Sequence, residues 1–563
     1  MNAEPAREAR AGDSWRRAAT ERSMQRPGEH GRFADLLLIA LLLLPNVVWV
    51  LADRRVWTSD AALYGMSSLR LHHALSVSPA AWWSVFLDTG PKPPILALIG
   101  GTVLAGVTRA ERVDAVLLSL PLIAQCITLL LLFGATLRLT GSRVAAQLAC
   151  VMVAAAPMFI DIGKQFYVQP VQFAVLAWFL FVMASADRWD RLFLVLQLSA
   201  ASALALLTML SSPLFMLVPG AVAVAGITRP NRPAVRPRVG LVAIGTAAVA
   251  LGILTAYWYE ARLAEALAYA KYSFAYAFGG VSSADYLDRT WIWLSIVGRG
   301  LLTPGAAIGM LLLWAVALRF RPSRGAHTLP ARLLLVACAP LLIIAVLARA
   351  VLQEPRYVLP LYGYMAVALA WWLVATNRQR LARVATGIFG VQWLALQLAA
   401  FGVLAIGYQP VRPLLGAPDP RLDEVRRVVQ LGAGTSRRVL TALGPRDIYS
   451  LQLDYHAAKQ PGYFDGARPE FRCVEFVLTD AAVGGRVERA WEEIERWSPD
   501  LVIVLADSLR LAERDTWSAS THGWRQIMLG ALTLSDRVDR SPEFERIDDR
   551  FLPAFAVYRA KDP

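Results

Sequence analysis

The sequence has little charge, few cysteines and no glycine-rich phosphate-binding motif. Only 18% of its residues are charged, against about a quarter in an ordinary soluble domain. Of the four cysteines, only Cys473 lies in a polar region, so neither an intradomain disulfide of a soluble part nor a Cys-x-x-Cys metal site is available. The absence of a Walker lysine loop, a Gly-x-Gly-x-x-Gly turn and a nucleophile elbow leaves ATP hydrolysis and dinucleotide chemistry without support.

Long apolar runs replace these features. Hydrophobic residues make up 56% of the 563 positions, which indicates burial in a membrane. About 20 apolar residues are needed to cross the hydrocarbon layer, and such segments must be helical because lipid cannot satisfy exposed backbone groups. The candidate spans lie near 34–52, 92–107, 115–138, 143–161, 170–186, 192–210, 212–227, 239–258, 297–319, 331–349, 357–376 and 384–407.

Lysine occurs only five times, and most of the basic charge is arginine placed between apolar segments. This placement is typical of the positive-inside bias of membrane proteins and does not indicate nucleic-acid binding. The arginine clusters at 229–238, 319–332 and 378–383 mark cytoplasmic loops. The resulting orientation puts 53–91, 259–296, 350–356 and everything after 408 outside, in an integral protein of the plasma (inner) membrane.

The region between 92 and 140 gives an inconsistent count of spans. Counting from the N-terminus puts 108–114 inside, whereas counting back from the middle of the chain puts it outside. Either one segment is re-entrant, or the 115–138 run is split at Pro121. We therefore predict 11–13 spans.

The composition divides the chain into three parts. We expect a disordered cytoplasmic tail at 1–33, a transmembrane domain at 34–407 and an extracytoplasmic domain at 408–563. In the last part, the β-like runs at 437–443, 473–479, 500–506 and 554–560 alternate with helical patterns such as 486–497. The predicted fold class is a mainly α polytopic helical bundle with a small C-terminal α/β domain.

The first outer loop, 53–91, is unusually long and contains amphipathic runs with Trp82 and Trp83, which suit the membrane interface. We expect it to form short helices along the outer bilayer surface. Asp60 follows the first span. It could cap the helix that begins there, or act as a general base at the membrane surface.

Two cations near the predicted outer face are candidates for binding phosphate. Lys92 stands in Lys-Pro-Pro at the mouth of a span, where a compact point charge suits a phosphate, although it could also snorkel. Arg356 precedes a late span and could instead pair with Glu354. The ionisable residues Asp161, Lys164, Lys271, Asp285 and Asp288 are expected to be solvated. His72 and His73 lack a third ligand nearby and do not predict a metal site.

These motifs resemble the GT-C glycosyltransferases, in particular the branch of protein O-mannosyltransferases and lipid A aminoarabinose transferases. The resemblance covers roughly residues 34–410. It depends on the acid after the first span (Asp60, in Thr-Ser-Asp-Ala-Ala-Leu-Tyr64), on Lys-Pro-Pro at 92–94, and on Arg-Tyr-x-x-Pro at 356–360.

The resemblance implies an enzyme that moves a sugar from a polyprenyl-phosphate carrier to a lipid, glycan or protein acceptor on the outer face. Asp60 would be the catalytic carboxylate, and Lys92 and Arg356 would bind the carrier phosphate, with substrate contacts from Tyr357, Gln169 and Tyr64. The sequence has Ala61 and Gln169 where the family has further acids. A divalent metal is possible in an enzyme of this family that carries those acids, but it has no support in this sequence. No other cofactor is predicted.

Two alternatives remain open. One is a polytopic transporter or flippase of lipid-linked sugars without transferase activity, although such proteins carry charges in mid-span, whereas the notable charges here lie at span ends. The other is an enzyme like the O-antigen ligases, in which the large outer loop is expected late in the chain rather than first.

Overall fold

The computed structural model describes most of the chain between residues 29 and 561. The described ranges are 29–53, 55–107, 109–186, 189–213, 215–216, 238–278, 359–375, 378–404, 419–432, 438–442, 450–460, 463–465, 468–473, 483–505, 522–547 and 555–561, with the single positions 220, 224, 303 and 356. Several predictions fall wholly or almost wholly outside these ranges. They are the tail at 1–33, the spans at 297–319 and 331–349, and the site residue Tyr357.

Helices dominate the described residues. They are α1 Glu29–Ala52, α2 Ser59–Val77, α3 Pro79–Leu87, α4 Ile95–Val103, α5 Val113–Thr140, α6 Arg143–Ala154, α7 Pro157–Ile162, α8 Gln169–Ser185, α9 Arg191–Thr208, α10 Arg238–Phe278, α11 Leu359–Ala375, α12 Gln379–Ala400, α13 Pro420–Gly432, α14 Ser450–Ala458, α15 Val483–Trp497 and α16 His522–Arg540. The strands are β1 Arg438–Thr441, β2 Glu470–Cys473, β3 Leu501–Leu505, β4 Phe544–Ile547 and β5 Phe555–Ala560.

Five of the described helices are long and apolar enough to cross a membrane, which makes this an integral membrane protein. They lie at Phe33–Ala52, Ala110–Thr140, Arg191–Thr208, Gly240–Tyr269 and Gln379–Ala400. Shorter apolar helices lie at Ile95–Gly106, Arg143–Ala154, Gln169–Ser185 and Tyr362–Val374. The predicted fold class is confirmed.

The chain divides into two compact units. The first comprises Met1–Val48, Leu122–Gly163 and Gln169–Pro413. Its centre is α8, whose residues are nearly all buried, so that it is apolar on every side. Helix α11 packs closely on α8, because a Cβ at Gly363 would lie 2.6 Å from the ring of Phe173. Helices α6 and α12 also pack together, as do α9 and α10.

The second unit comprises Trp49–Pro121, Lys164–Val168 and Leu414–Pro563. It contains a sheet in the order β2-β1-β3-β5-β4, in which β1 pairs in parallel with β2 and β3, and β5 pairs antiparallel with β3 and β4. The central strand β3 pairs with β1 and β5, and its residues 501–504 are buried in the hydrophobic core. Helix α15 covers the core with Val487, Trp491 and Ile494, which share one helix face.

The structure differs from the predicted elements in two places. Helix α5 continues through Pro121 without a break, so a split of the 115–138 run is wrong. Neighbouring helices and local adjustments allow proline inside membrane helices. The strand β2, in register with β1, begins at Glu470, three residues before the run predicted at 473–479, of which all but Cys473 lies outside the described ranges.

The short helix α4 favours the other explanation of the inconsistent span count, namely a re-entrant segment between 92 and 140. Its nine residues and the single 3₁₀ turn at its end together span about 20 Å, against about 30 Å of hydrocarbon. At the start of α5, Asp114 bonds to Lys459, which follows α14. The segment before α5 therefore lies on the same side of the membrane as the C-terminal domain.

Candidate functional site

The start of α2 places Asp60 at the candidate site. Thr58 occupies the N-cap position of this helix, and Asp60 follows within its first turn. A carboxylate at this position is favoured by the helix dipole. The alternative in which Asp60 itself is the N-cap is therefore wrong, and its side chain bonds to a partner that is distant in the chain.

That partner is Lys92. Its Nζ donates to Asp60 Oδ1 at 2.9 Å, although the residues are 32 positions apart in the chain. The side chain of Asp60 is 34% exposed and that of Lys92 is 24% exposed. A half-buried ion pair that still contacts solvent keeps both charges accessible to a ligand. A fully buried pair would not be accessible.

Tyr64 completes this cluster from the next turn of α2. The Lys92 ammonium lies 5.8 Å from the centre of the Tyr64 ring, within the range of a cation–π contact. Residues 60 and 64 share one helix face because they are four positions apart. The structure thus brings three of the predicted site residues together in the second unit.

The segment 164–168 supports the start of α2. The hydroxyl groups of Tyr167 and Thr58 are 2.6 Å apart, and the ring of Phe166 contacts that of Trp57. Trp57 also stacks on Tyr455 of α14, with ring centres 4.7 Å apart. The chain immediately before Asp60 is therefore fixed by an inter-helix loop on one side and by the C-terminal domain on the other.

Lys164, at the beginning of this segment, departs from the expectation. It was predicted to be solvated, but it is only 2% exposed, and its ammonium lies 4.2 Å from the centre of the Trp49 ring. Burial of a lysine is costly unless other groups stabilise its charge. The sequence offered one signal for this residue, namely the scarcity of lysine in a chain that otherwise uses arginine.

The other predicted site residues belong to the first unit. Gln169 begins α8 and is buried. Arg356 is also buried, with 8% of its surface exposed, and is therefore not a solvated side chain at the end of a span. The Glu354 partner considered for Arg356 lies outside the described ranges, as does Tyr357.

The donor set around Asp60 does not fit a divalent cation. Asp60 is the one carboxylate of the cluster, one of its oxygens already accepts from Lys92, and the positive ammonium beside it opposes a second cation. Within the described ranges no three His, Cys, Asp or Glu side chains are grouped as metal ligands. His73 instead stacks on Phe464 and lies 3.6 Å from Asp465, and burial, with the neighbouring His73, lowers the pKa of His72.

Comparison with solved structures identifies the architecture. The chain is similar to ArnT from Cupriavidus metallidurans, in a crystal structure with bound undecaprenyl phosphate, with a TM-score of 0.53 and 13% identity over 94% of this chain and 98% of that one. The apo state of the same protein matches with a TM-score of 0.54 and 12% identity, over the same shares of both chains.

A more distant likeness is to the oligosaccharyltransferase of Archaeoglobus fulgidus, with a TM-score of 0.50 and 11% identity over 87% of this chain and 70% of that one. No protein-family model and no curated protein sequence matches the chain. The solved structures are GT-C glycosyltransferases, and the GT-C fold expected from the sequence motifs is confirmed.

Proposed function

We propose that this GT-C-fold membrane protein is a glycosyltransferase that moves a sugar from a polyprenyl-phosphate carrier to a lipid, glycan or protein acceptor on the outer face of the membrane. The single observation that carries the proposal is the ion pair of Asp60 and Lys92 within that fold. The similarity to a structure holding undecaprenyl phosphate supports the choice of carrier.

The pair suits a displacement in which phosphate leaves. Without a donor, Lys92 is held by Asp60 at 2.9 Å. A carrier phosphate would compete for the ammonium, because charge-assisted contacts to phosphate are strong, and the freed carboxylate could then accept the proton of the attacking acceptor group. One base suffices for inversion at the anomeric carbon, without a covalent intermediate.

The cations would stabilise the leaving group. Lys92 and Arg356 would bind the carrier phosphate as negative charge develops on it. Arg356 is buried and Lys92 is only partly exposed, and removal from water strengthens such interactions. Tyr64 would orient Lys92 through its ring. Gln169 and Tyr357 are proposed as further substrate contacts on the basis of the sequence motifs.

The domain roles follow from this proposal. Residues 34–407 would form the catalytic transmembrane domain, and 408–563 the extracytoplasmic α/β domain. The first loop would take part in catalysis from the outer surface, because its helix α2 carries Asp60 and packs on α14 of the C-terminal domain.

Sugar transfer in proteoliposomes containing polyprenyl-phosphate sugars tests the proposal. We expect Asp60→Asn to lower the transfer rate about 100-fold or more, as loss of a general base does. Lys92→Ala should lower it as well, since the phosphate loses a cation.

The exposed pair of Arg70 and Asp88, 3.3 Å apart in the same loop, supplies matched controls. Arg70→Ala and Asp88→Asn make the same chemical changes and should leave transfer near the wild-type rate. Full activity in Asp60→Asn and Lys92→Ala would contradict the assigned site. Movement of carrier lipid across the bilayer by the wild-type protein, without any transferred sugar, would favour the flippase instead.

A further inference from the structure

A cavity lined by both apolar and charged side chains lies in the unit that contains the sheet, and it shares no lining residue with the cluster of Asp60, Lys92 and Tyr64. Its volume is about 430 Å³. The walls come from the end of α1, the turn before α5, one face of α13 and the end of α14. Four segments that are distant in the chain thus enclose a space large enough for a small polar group.

The position of this cavity relative to the spans places it at the membrane surface. The candidate span at Phe33–Ala52 ends at its wall, and the span at Ala110–Thr140 begins there. Leu51, which lines the cavity, is 70% exposed and lies on an apolar membrane helix. A ligand in the cavity would have its polar part among charged side chains and an apolar part beside Leu51.

Most of the acidic charge in the wall is already bonded. Asp53 accepts from Arg55 at 2.8 Å, and Asp114 accepts from Lys459 at 3.0 and 3.2 Å and from the hydroxyl of Tyr455. These pairs neutralise two carboxylates by contacts within the wall itself.

The remaining charges are Glu111, Arg112 and Arg426, all of them exposed. Arg426 lies 3.4 Å from Asp423, a neighbour on the same helix that is itself exposed and does not line the cavity. Exposed pairs of this kind are weak and yield readily to a better ligand. The wall therefore offers two guanidinium groups to an anion, against the one remaining carboxylate of Glu111.

The pKa of His456, which lines this cavity, is lowered by burial and in part by the positive charges around it. Burial lowers its pKa to about 3, and the positive charges of Lys459 and Arg426 add to this effect, while Asp114 opposes it. The imidazole is consequently neutral at physiological pH, and the cations beside it are what a negatively charged group would meet.

We propose that this cavity binds the phosphate of an anionic membrane phospholipid, held by Arg112 and Arg426, with the lipid tails against Leu51. Guanidinium groups match phosphate geometry with paired N–H donors, and basic pockets at the ends of spans recognise anionic head groups. The inference does not depend on sugar transfer, because none of its residues belongs to the proposed catalytic cluster.

Native mass spectrometry of the full-length protein in detergent, with added phosphatidylglycerol, tests this site. We expect the wild type to retain one phosphatidylglycerol more tightly than phosphatidylcholine, and Arg112→Gln/Arg426→Gln to bind it about 10-fold more weakly. The matched control is Arg109→Gln/Arg496→Gln, which removes two exposed arginines that do not line the cavity. Its retention should equal that of the wild type.

A charge-neutral variant separates a cavity from general attraction to the surface. Ala110 is exposed and lines the cavity, so Ala110→Trp should fill the entrance and reduce retention while leaving the net charge unchanged. Glycerol phosphate at millimolar concentration distinguishes a lipid site from a site for free phosphate, and it should not displace the lipid.

Three results would overturn the proposal. They are equal retention by the two double variants, equal retention of phosphatidylcholine and phosphatidylglycerol by the wild type, and complete displacement of the lipid by glycerol phosphate.

Discussion

Asp454 on α14 has a carboxyl group that is largely withdrawn from water. Burial raises its pKa to about 7, Arg468 opposes the shift, and Glu470 reinforces it. Between about pH 4 and pH 7 the folded protein keeps a proton that the unfolded chain has lost. Folding is then penalised increasingly as the pH rises through this window, so stability falls towards neutral pH.

Asp454→Asn should remove this penalty. We expect the unfolding temperature of the variant to exceed that of the wild type by about 2–5 °C at pH 8, with a difference near zero at pH 4. Scanning fluorimetry in detergent measures it. Asp423→Asn changes an exposed acid of the same domain and should shift the transition little at either pH. A gain for Asp454→Asn that is independent of pH would contradict the titration argument.

At the scale of elements, α2 and α4 approach so closely that glycine is needed between them. A Cβ added at Gly101 would lie 2.8 Å from Leu71 Cβ and 2.9 Å from the carbonyl oxygen of Ser68. Such contacts are too short for carbon, so the helices would have to separate. Because Lys92 precedes α4 and Asp60 begins α2, separation would lengthen their ion pair.

Gly101→Ala should therefore destabilise the protein by about 1–3 kcal/mol, as overpacking does, and should lower sugar transfer more than the loss of folded protein explains. Gly106→Ala is the matched control, since a Cβ there meets no atom within 4 Å. Thermal unfolding and transfer rate per folded molecule are the two measurements. Equal behaviour of the two variants would contradict a close helix contact.

The sequence predicted the boundaries of helices and strands well where the hydrophobic pattern was continuous. It predicted them poorly where pairing with a neighbouring strand sets the boundary. The runs at 500–506 and 554–560 contain the strands β3 and β5, and 486–497 is helical, as predicted. The strand β2 begins three residues before the run predicted at 473–479, because Glu470 already pairs with Arg438. Register depends on the neighbouring strand, and single-sequence patterns do not contain it.

At the scale of the whole molecule, the segments of the second unit should lie on one side of the membrane. Residues 53–91, 109–114, 164–168 and the C-terminal domain belong to one compact unit. With α4 too short to cross the membrane, we expect from the arginine pattern that all of them lie on the outer face and the start of α9 on the inner face.

Cysteine labelling in intact cells tests this topology. In a Cys473→Ser background, Arg109→Cys and Glu488→Cys should react with an impermeant maleimide from outside, because both positions are exposed. Arg191→Cys, exposed at the start of α9, should react only after the membrane is opened. Protection of Arg109→Cys in intact cells, together with labelling of Arg191→Cys, would reverse the orientation.

The sequence by itself determined the membrane class, most of the apolar helices, the α/β character of the C-terminal part and the GT-C resemblance. It could do so because hydrophobic period, arginine bias and short motifs are local properties of the chain. Only the tertiary structure decided that Asp60 pairs with Lys92, that Lys164 is buried against Trp49, and that four separate segments enclose a charged cavity. These outcomes depend on the distance between residues far apart in the chain, which is fixed by packing and hydrogen bonding in the folded state alone.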